Sequence, residues 1–275
     1  MAANLIDETF RRLKADGETA LIPFLTIGDP DLDTSLDIIR TLEEAGADMI
    51  ELGVPYSDPL ADGPVIQRAS ERALQHRVTI VDCIEMADKA RQAGVKLPFI
   101  LFSYYNPVMQ FGLDRFFELI VRKQISGLII PDLPIEEDAE VRERAENAGV
   151  HLIPLVAPTS HDRVARIASK ASGFVYCVSS LGVTGVRSDF HRGIDDFLTA
   201  VRRSASTPIA VGFGVSSREQ VERFSQQADG VIVGSAIVRK IEETLPLLQS
   251  AGTRSEGLAQ IREFVAGLKG AGVQG

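Results

Sequence analysis

Eight short apolar runs recur along a chain of 275 residues, each separated from the next by an amphipathic stretch. This alternation limits the available folds more than any other feature. The runs lie at 20–26, 48–52, 97–102, 127–131, 151–156, 174–178, 208–212 and 230–233. The stretches between them repeat with helical spacing. Leu36, Ile39 and Leu42 share one face, and Ala45-Gly46 then supplies a C-terminal stop. The same stop recurs at Ala93-Gly94 and Ala148-Gly149, each leading directly into an apolar run. Eight strand–helix units predict one closed (β/α)8 barrel, the TIM-barrel architecture, as a single domain over residues 1–275. Extra helices are expected at 3–15 and 254–268. An open doubly wound sheet is the structural alternative, but no Gly-x-Gly-x-x-Gly turn follows the first strand. The chain contains no low-complexity linker and no composition break that marks a domain boundary.

Composition excludes several classes of function. With 45% hydrophobic and 24% charged residues, the chain can bury an ordinary globular core. A net charge of −9 argues against nucleic acid, whose phosphates require a basic face. No run approaches the roughly 20 apolar residues that cross a bilayer, so no membrane role is expected. The N-terminal residues lack a basic start followed by an apolar core, which predicts no signal peptide. Cys83 and Cys177 lie far apart and in no metal-binding spacing, as expected for a reduced, cytoplasmic protein.

The chemistry concentrates in Glu51-Leu-Gly-Val-Pro-Tyr-Ser-Asp-Pro-Leu-Ala-Asp-Gly-Pro64. A carboxylate ends an apolar strand, a loop stiffened by prolines follows, and a second carboxylate, Asp62, precedes a helix start. Alternate strand residues face the barrel lumen. Ile50 and Leu52 suit the helix-facing side, so Glu51 faces inward near the C-terminal mouth, where barrel enzymes carry their chemistry. A structural Glu51 would need a buried arginine or lysine, and none lies at the neighbouring strand ends. Two carboxylates in different surroundings suit acid–base work at neutral pH.

The late loops read Gly212-Phe-Gly-Val-Ser-Ser217 and Gly234-Ser-Ala-Ile237. Glycine followed by serine at a helix start offers backbone N–H groups and a hydroxyl to a phosphate. Late loops are the usual phosphate address of a barrel. Segment 179–187, with Gly182, Thr184 and Gly185, has the length and glycine content of a lid. Among reactions on phosphorylated substrates, a Schiff-base aldolase needs a lysine at the mouth. None of the seven lysines ends a strand. Metal-dependent chemistry needs clustered histidines, and His76, His151, His161 and His191 are scattered. Cofactor-free catalysis by Glu51 and Asp62 remains, with no metal. Asp132 reads as a loop or helix-capping residue between two prolines. Phe24, Tyr104, Ile129 and Tyr176 suit either an apolar pocket or simple core packing.

These motifs together resemble a known family. Pro23-Phe24, Gly28-Asp-Pro30, the block from Glu51 to Pro64, Tyr104-Tyr-Asn-Pro107, Pro131-Asp-Leu-Pro134, Gly182-Val-Thr-Gly185, Gly212-Phe-Gly-Val-Ser216 and Gly234-Ser-Ala236 are similar to the tryptophan synthase alpha subunits. The resemblance runs in order from about Phe24 to Val238. It implies retro-aldol cleavage of indole-3-glycerol phosphate to indole and glyceraldehyde 3-phosphate. Glu51 would be the general acid–base, and Asp62 would hold the indole N–H. Phe24, Tyr104, Ile129 and Tyr176 would line the site. Gly185, Gly214, Gly234 and Ser235 would bind phosphate, and Thr184 would orient Asp62. Ser180 stands where some relatives carry an arginine. The resemblance also implies no cofactor in this chain. Its expected partner is a beta subunit carrying pyridoxal phosphate, in an alpha2beta2 heterotetramer. A stand-alone lyase that releases free indole, and a catalytically silent allosteric barrel, are the alternatives. Retention of both carboxylates argues against the second.

Overall fold

The computed structural model describes residues 3–160, 163–178, 193–212 and 214–270. Nine parallel strands form one sheet among these residues. They are β1 (Ala20–Thr26), β2 (Ile50–Gly53), β3 (Phe99–Phe102), β4 (Ile125–Ile129), β5 (His151–Leu152), β6 (Leu155–Val156), β7 (Val175–Val178), β8 (Ile209–Gly212) and β9 (Gly230–Val233). The order β5-β4-β3-β2-β1-β9-β8-β7-β6 pairs the first strand with the last.

The expected eight strands become nine because the fifth run is split. Pro154 has no N–H to give to a ladder, so regular pairing stops there. The segment still bridges its neighbours. Ile153 N donates to Leu128 O at 2.9 Å on one side, and Tyr176 N donates to Pro154 O at 2.9 Å on the other. Residues 151–156 thus close the barrel between β4 and β7, as the strand–helix count predicted.

The helices are α1 (Leu5–Asp16), α2 (Leu32–Glu44), α3 (Pro64–Gln75), α4 (Ile80–Gln92), α5 (Tyr105–Phe111), α6 (Leu113–Arg122), α7 (Ala139–Ala148), α8 (Val164–Ala168), α9 (Ile194–Ser204), α10 (Arg218–Ser225), α11 (Ser235–Leu248) and α12 (Arg254–Lys269). One helix per strand is too simple. Two helices follow β2, because Thr79 and Asp82 form a capping box that starts α4 afresh. Two follow β3, because Gly112 takes φ 91° and breaks α5 from α6. The terminal helices α1 and α12 lie within a residue or two of their expected positions.

Strand parity sorts the core into two layers. Leu21, Leu25, Leu52, Leu101, Leu128, Val211 and Val231 pack outward against the helices. Ile22, Phe24, Met49, Ile100, Phe102, Ile129, Phe174, Tyr176 and Ile232 fill the lumen. Helix α1 seals the lower end. Asn4 caps it through Ile6 N at 2.9 Å, and its amide binds Ser126 O and Gly149 O at 2.8 and 2.9 Å. Phe10 then meets Phe174 edge-on, with ring centres 5.7 Å apart. Gly127 leaves room for this plug, since a Cβ there would lie 2.8 Å from Ile6 Cδ1.

A polar clasp ties the C-terminal helix to the same end. Lys269 Nζ binds Asp48 Oδ2 at 2.6 Å and Thr19 O at 3.1 Å. The same Asp48 oxygen accepts Leu21 N at 2.9 Å. Arg12 stands further from Asp48, at 3.6 Å, and is mostly exposed. Lys269→Met should therefore cost roughly 1–3 kcal/mol by stripping the main cation from a buried carboxylate. Thermal denaturation should register a fall of about 2–8 °C. An unchanged midpoint would show that the clasp adds no stability.

Candidate active site

Glu51 sits on β2, in register with Phe24 of β1 and Ile100 of β3. All three point into the lumen. Its side chain is 1% exposed, and Oε1 has no hydrogen-bond partner among the described residues. Burial penalises the charged form and pushes the carboxyl up to about 8 from its ordinary 4.5. Glu51 is accordingly a neutral acid at pH 7, with a proton to give.

Asp62 approaches from the loop between β2 and α3. Gly63 caps α3 in extended backbone and Pro64 occupies its first turn, so Asp62 stands immediately before the helix start. Three contacts fix it. Tyr104 Oη donates to Asp62 Oδ2 at 3.1 Å and accepts Ala61 N at 2.9 Å. Gln67 Nε2 donates to the Asp62 carbonyl at 2.8 Å. Burial raises this carboxyl to about 6 against the lowering effect of the Tyr104 hydroxyl. Asp62 is thus mostly ionised where Glu51 is mostly protonated.

Both carboxyls open onto one cavity, with Phe24 and Tyr176 on its walls and Gly214, Gly234 and Ser235 at its far side. It encloses about 370 Å3, counting the part open to solvent. Two glycines shape it. A Cβ on Gly53 would lie 2.4 Å from the Phe24 ring, and one on Gly212 would lie 2.4 Å from the Tyr176 hydroxyl. Three further walls, Ile66, Phe102 and Ile232, escaped the sequence reading. Parity could have found Phe102 and Ile232, which lie two residues after Ile100 and Gly230 on lumen-facing strands. Ile66 carried no such signal.

Two expected wall residues lie elsewhere. Ile129 is fully buried in the lumen packing and does not border the cavity. Tyr104 stands behind Asp62 as its hydrogen-bond partner and does not border the cavity either. Thr184, Gly185 and the rest of 179–187 lie outside the described residues.

The two glycine–serine loops are not equivalent. Ser235 and Ala236 open α11, where no carbonyl of the same helix can reach their N–H groups. Ser235 is buried and faces the cavity. In the other loop, Ser216 N and Oγ both bind Gln220 Oε1, at 2.7 and 3.2 Å, and Ser217 caps α10. Of its described residues, Gly214 alone reaches the cavity, with φ 97°.

An ion-pair network, also unread in the sequence, joins the elements that carry these groups. Arg72 of α3 grips Asp29 through two bonds of 2.7 and 2.9 Å and reaches Glu242 of α11 at 2.8 Å. Arg68, one turn earlier, holds Glu242 at 2.7 and 2.8 Å. The Asp62 helix is thereby braced against the helix that begins at Ser235.

Asp132 and His151 have structural partners. Asp132 Oδ1 accepts Tyr105 N at 2.9 Å and so caps α5, the role expected of it. His151 binds Asp7 at 3.0 Å at the sealed end, and His76 ends α3. His161 and His191 lie outside the described residues. No group of three or more potential metal ligands occurs among the described residues. Cys83 and Cys177 are buried and unpaired. No helix among the described residues is long and apolar enough to cross a membrane.

Fold and site together define a (β/α)8 barrel that holds two buried carboxyls of different proton affinity on one cavity. Residues 10–270 match the family described as Tryptophan synthase alpha chain. The chain is 51% identical over 247 residues to the tryptophan synthase alpha chain of Geobacillus sp. (strain WCH70), covering 90% of this chain and 94% of that one. The Bacillus pumilus alpha chain is 52% identical over 248 residues, covering 90% and 93%. The structure of the Legionella pneumophila alpha subunit superposes with a TM-score of 0.86 at 32% identity, covering 98% of each chain. A chain of Mycobacterium tuberculosis tryptophan synthase gives 0.84 at 36% identity, again covering 98% of each. The protein belongs to the tryptophan synthase alpha chain family.

The burial of Glu51 has a thermodynamic signature. The folded carboxyl keeps its proton up to about pH 8, whereas an unfolded glutamate loses it near 4.5. Between those values the native state binds more protons, so stability falls as pH rises. Glu51→Gln removes the titration. The variant should match the parent near pH 5 and melt several degrees higher near pH 9. A melting difference that does not grow between those pH values would contradict the burial argument.

Proposed function

We propose that the protein cleaves indole-3-glycerol phosphate to indole and glyceraldehyde 3-phosphate by a retro-aldol reaction. The observation that carries this reading is the pair of buried carboxyls on one cavity, pushed to about 8 at Glu51 and about 6 at Asp62. Protonated Glu51 delivers its proton to ring carbon 3 of the indole. The ring nitrogen becomes cationic, and ionised Asp62 stabilises its N–H. Glu51, now a carboxylate, takes the proton from the hydroxyl of the adjoining glycerol carbon. The carbon–carbon bond then breaks, its electrons restore the indole ring, and the glycerol fragment leaves as the aldehyde. Every proton is accounted for, and Glu51 ends as it began. No step requires a cofactor in this chain.

Substrate parts match cavity parts. The indole ring fits among Phe24, Phe102 and Tyr176, and the phosphate fits the start of α11 at Gly234 and Ser235. Gly234→Ala tests the second assignment, because a Cβ there meets nothing closer than 3.8 Å and φ is −101°. The variant should fold normally and raise KM about tenfold or more, since the methyl occupies phosphate space. An unchanged KM would remove the phosphate from this address.

We place the partner, a beta subunit carrying pyridoxal phosphate, on the barrel mouth in an alpha2beta2 assembly in the cytoplasm. The supporting features are the loop at 55–64, where Leu60 is 79% exposed, and α5 beside it, where Met109 is 51% exposed. Titrating a beta subunit into the chain should raise the rate of indole formation. A stand-alone lyase would show full activity alone.

Three kinetic results test the chemistry. Glu51→Gln should lower turnover by at least ~100-fold with substrate binding nearly intact. Asp62→Asn should be comparably impaired, because an amide cannot balance a cationic ring. Turnover should rise with pH through about 6 as Asp62 ionises and fall through about 8 as Glu51 loses its proton. Near-parental turnover in the Glu51→Gln variant would end the assignment.

A further inference from the structure

We propose that Tyr104 is a positioning residue for Asp62, holding its carboxylate in place and in the ionised state rather than contacting substrate. This rests on the proposed role of Asp62 at the indole ring. The hydroxyl has one proton to donate. Because it accepts Ala61 N at 2.9 Å, its lone pairs face the loop backbone and its proton is directed at Asp62 Oδ2, 3.1 Å away. One atom thus fixes two consecutive residues of the loop. The loop needs such a tether, since its middle is exposed at Ser57, Asp58 and Leu60.

The tether is itself held. Tyr104 is 2% exposed and lies two residues beyond the end of β3, the strand beside Glu51. The Tyr56 ring stacks on it at 4.9 Å and 26°, and the Asn106 side chain reaches the Tyr56 hydroxyl at 3.4 Å. Tyr56 thus clamps the opposite end of the same loop to the same aromatic ring. The groups facing Asp62 are the Tyr104 hydroxyl from the β3–α5 junction and Tyr176 from β7, whose phenol feels both Asp62 and Glu51. Glu51 of β2 borders the same cavity, and Asp132 stands near Tyr104. None of these is a cation. Among the described residues, the Tyr104 hydroxyl is therefore the group that favours the charged form of Asp62 against its burial.

Tyr104→Phe removes the hydroxyl and keeps the ring and its stack. We expect turnover to fall about tenfold with KM changed less than about threefold. The acid limb of the turnover–pH profile should move upward by about half a pH unit or more. Added to Asp62→Asn, Tyr104→Phe should have little further effect, because its target is already gone. An unmoved acid limb, or full additivity in the double variant, would overturn the proposal. Circular dichroism and the melting temperature confirm that each variant is folded. Near-parental turnover in Asp62→Asn alone would instead break the underlying role of Asp62, whatever Tyr104 does.

Discussion

A carboxyl group buried without a counter-ion is costly, and the rest of this structure is arranged around one. Glu51 lies in a lumen packed above and below by apolar side chains, and no cation reaches it among the described residues. The environment that raises its proton affinity is produced by the fold as a whole. Helix α1 seals one end through Asn4 and Phe10, the split run 151–156 closes the wall, and Phe24 and Tyr176 cover the mouth side. Opening any of these would admit water and return Glu51 toward an ordinary carboxylate. Its chemistry is thus a property of barrel closure.

The second carboxyl obeys a different logic. Asp62 is on a loop, and loops gain position only from what they touch. Its position comes from a tyrosine at the β3–α5 junction, a glutamine one turn into α3, and a helix start set by Gly63-Pro64. Behind these, Arg72, Arg68, Asp29 and Glu242 lock α3 to α11. Half-buried ion pairs add little stability in isolation. A bidentate arginine shared between three segments fixes geometry instead, and here it ties the helix that follows Asp62 to the one that begins at Ser235.

Much of this was legible in the sequence, for reasons that can be located in particular residues. Strand periodicity is local, so the barrel, the inward direction of Glu51 and the terminal helices could be read from runs and parity. The helix stops at Ala45-Gly46, Ala93-Gly94 and Ala148-Gly149 were legible because glycine at a positive φ is a local requirement, met here at Gly46, Gly94 and Gly149. The break at Pro154 and the second helices after β2 and β3 were missed. Each depends on one capping box, one glycine or one proline inside an otherwise continuous pattern.

What the sequence by itself determined is which residues point into the barrel and which loops reach its mouth. Backbone geometry and side-chain alternation act over a few residues. What only the tertiary structure decided is which of those residues meet. Tyr104 and Ile129 looked equivalent as pocket walls, yet one holds Asp62 and the other fills the lumen. The two late glycine–serine loops looked alike as phosphate cradles, yet Gln220 engages Ser216 in one while Ser235 of the other faces the cavity. Those outcomes turn on contacts between groups up to 43 residues apart, such as Ala61 with Tyr104, and on how far each is removed from water. Neither quantity exists until the barrel has closed.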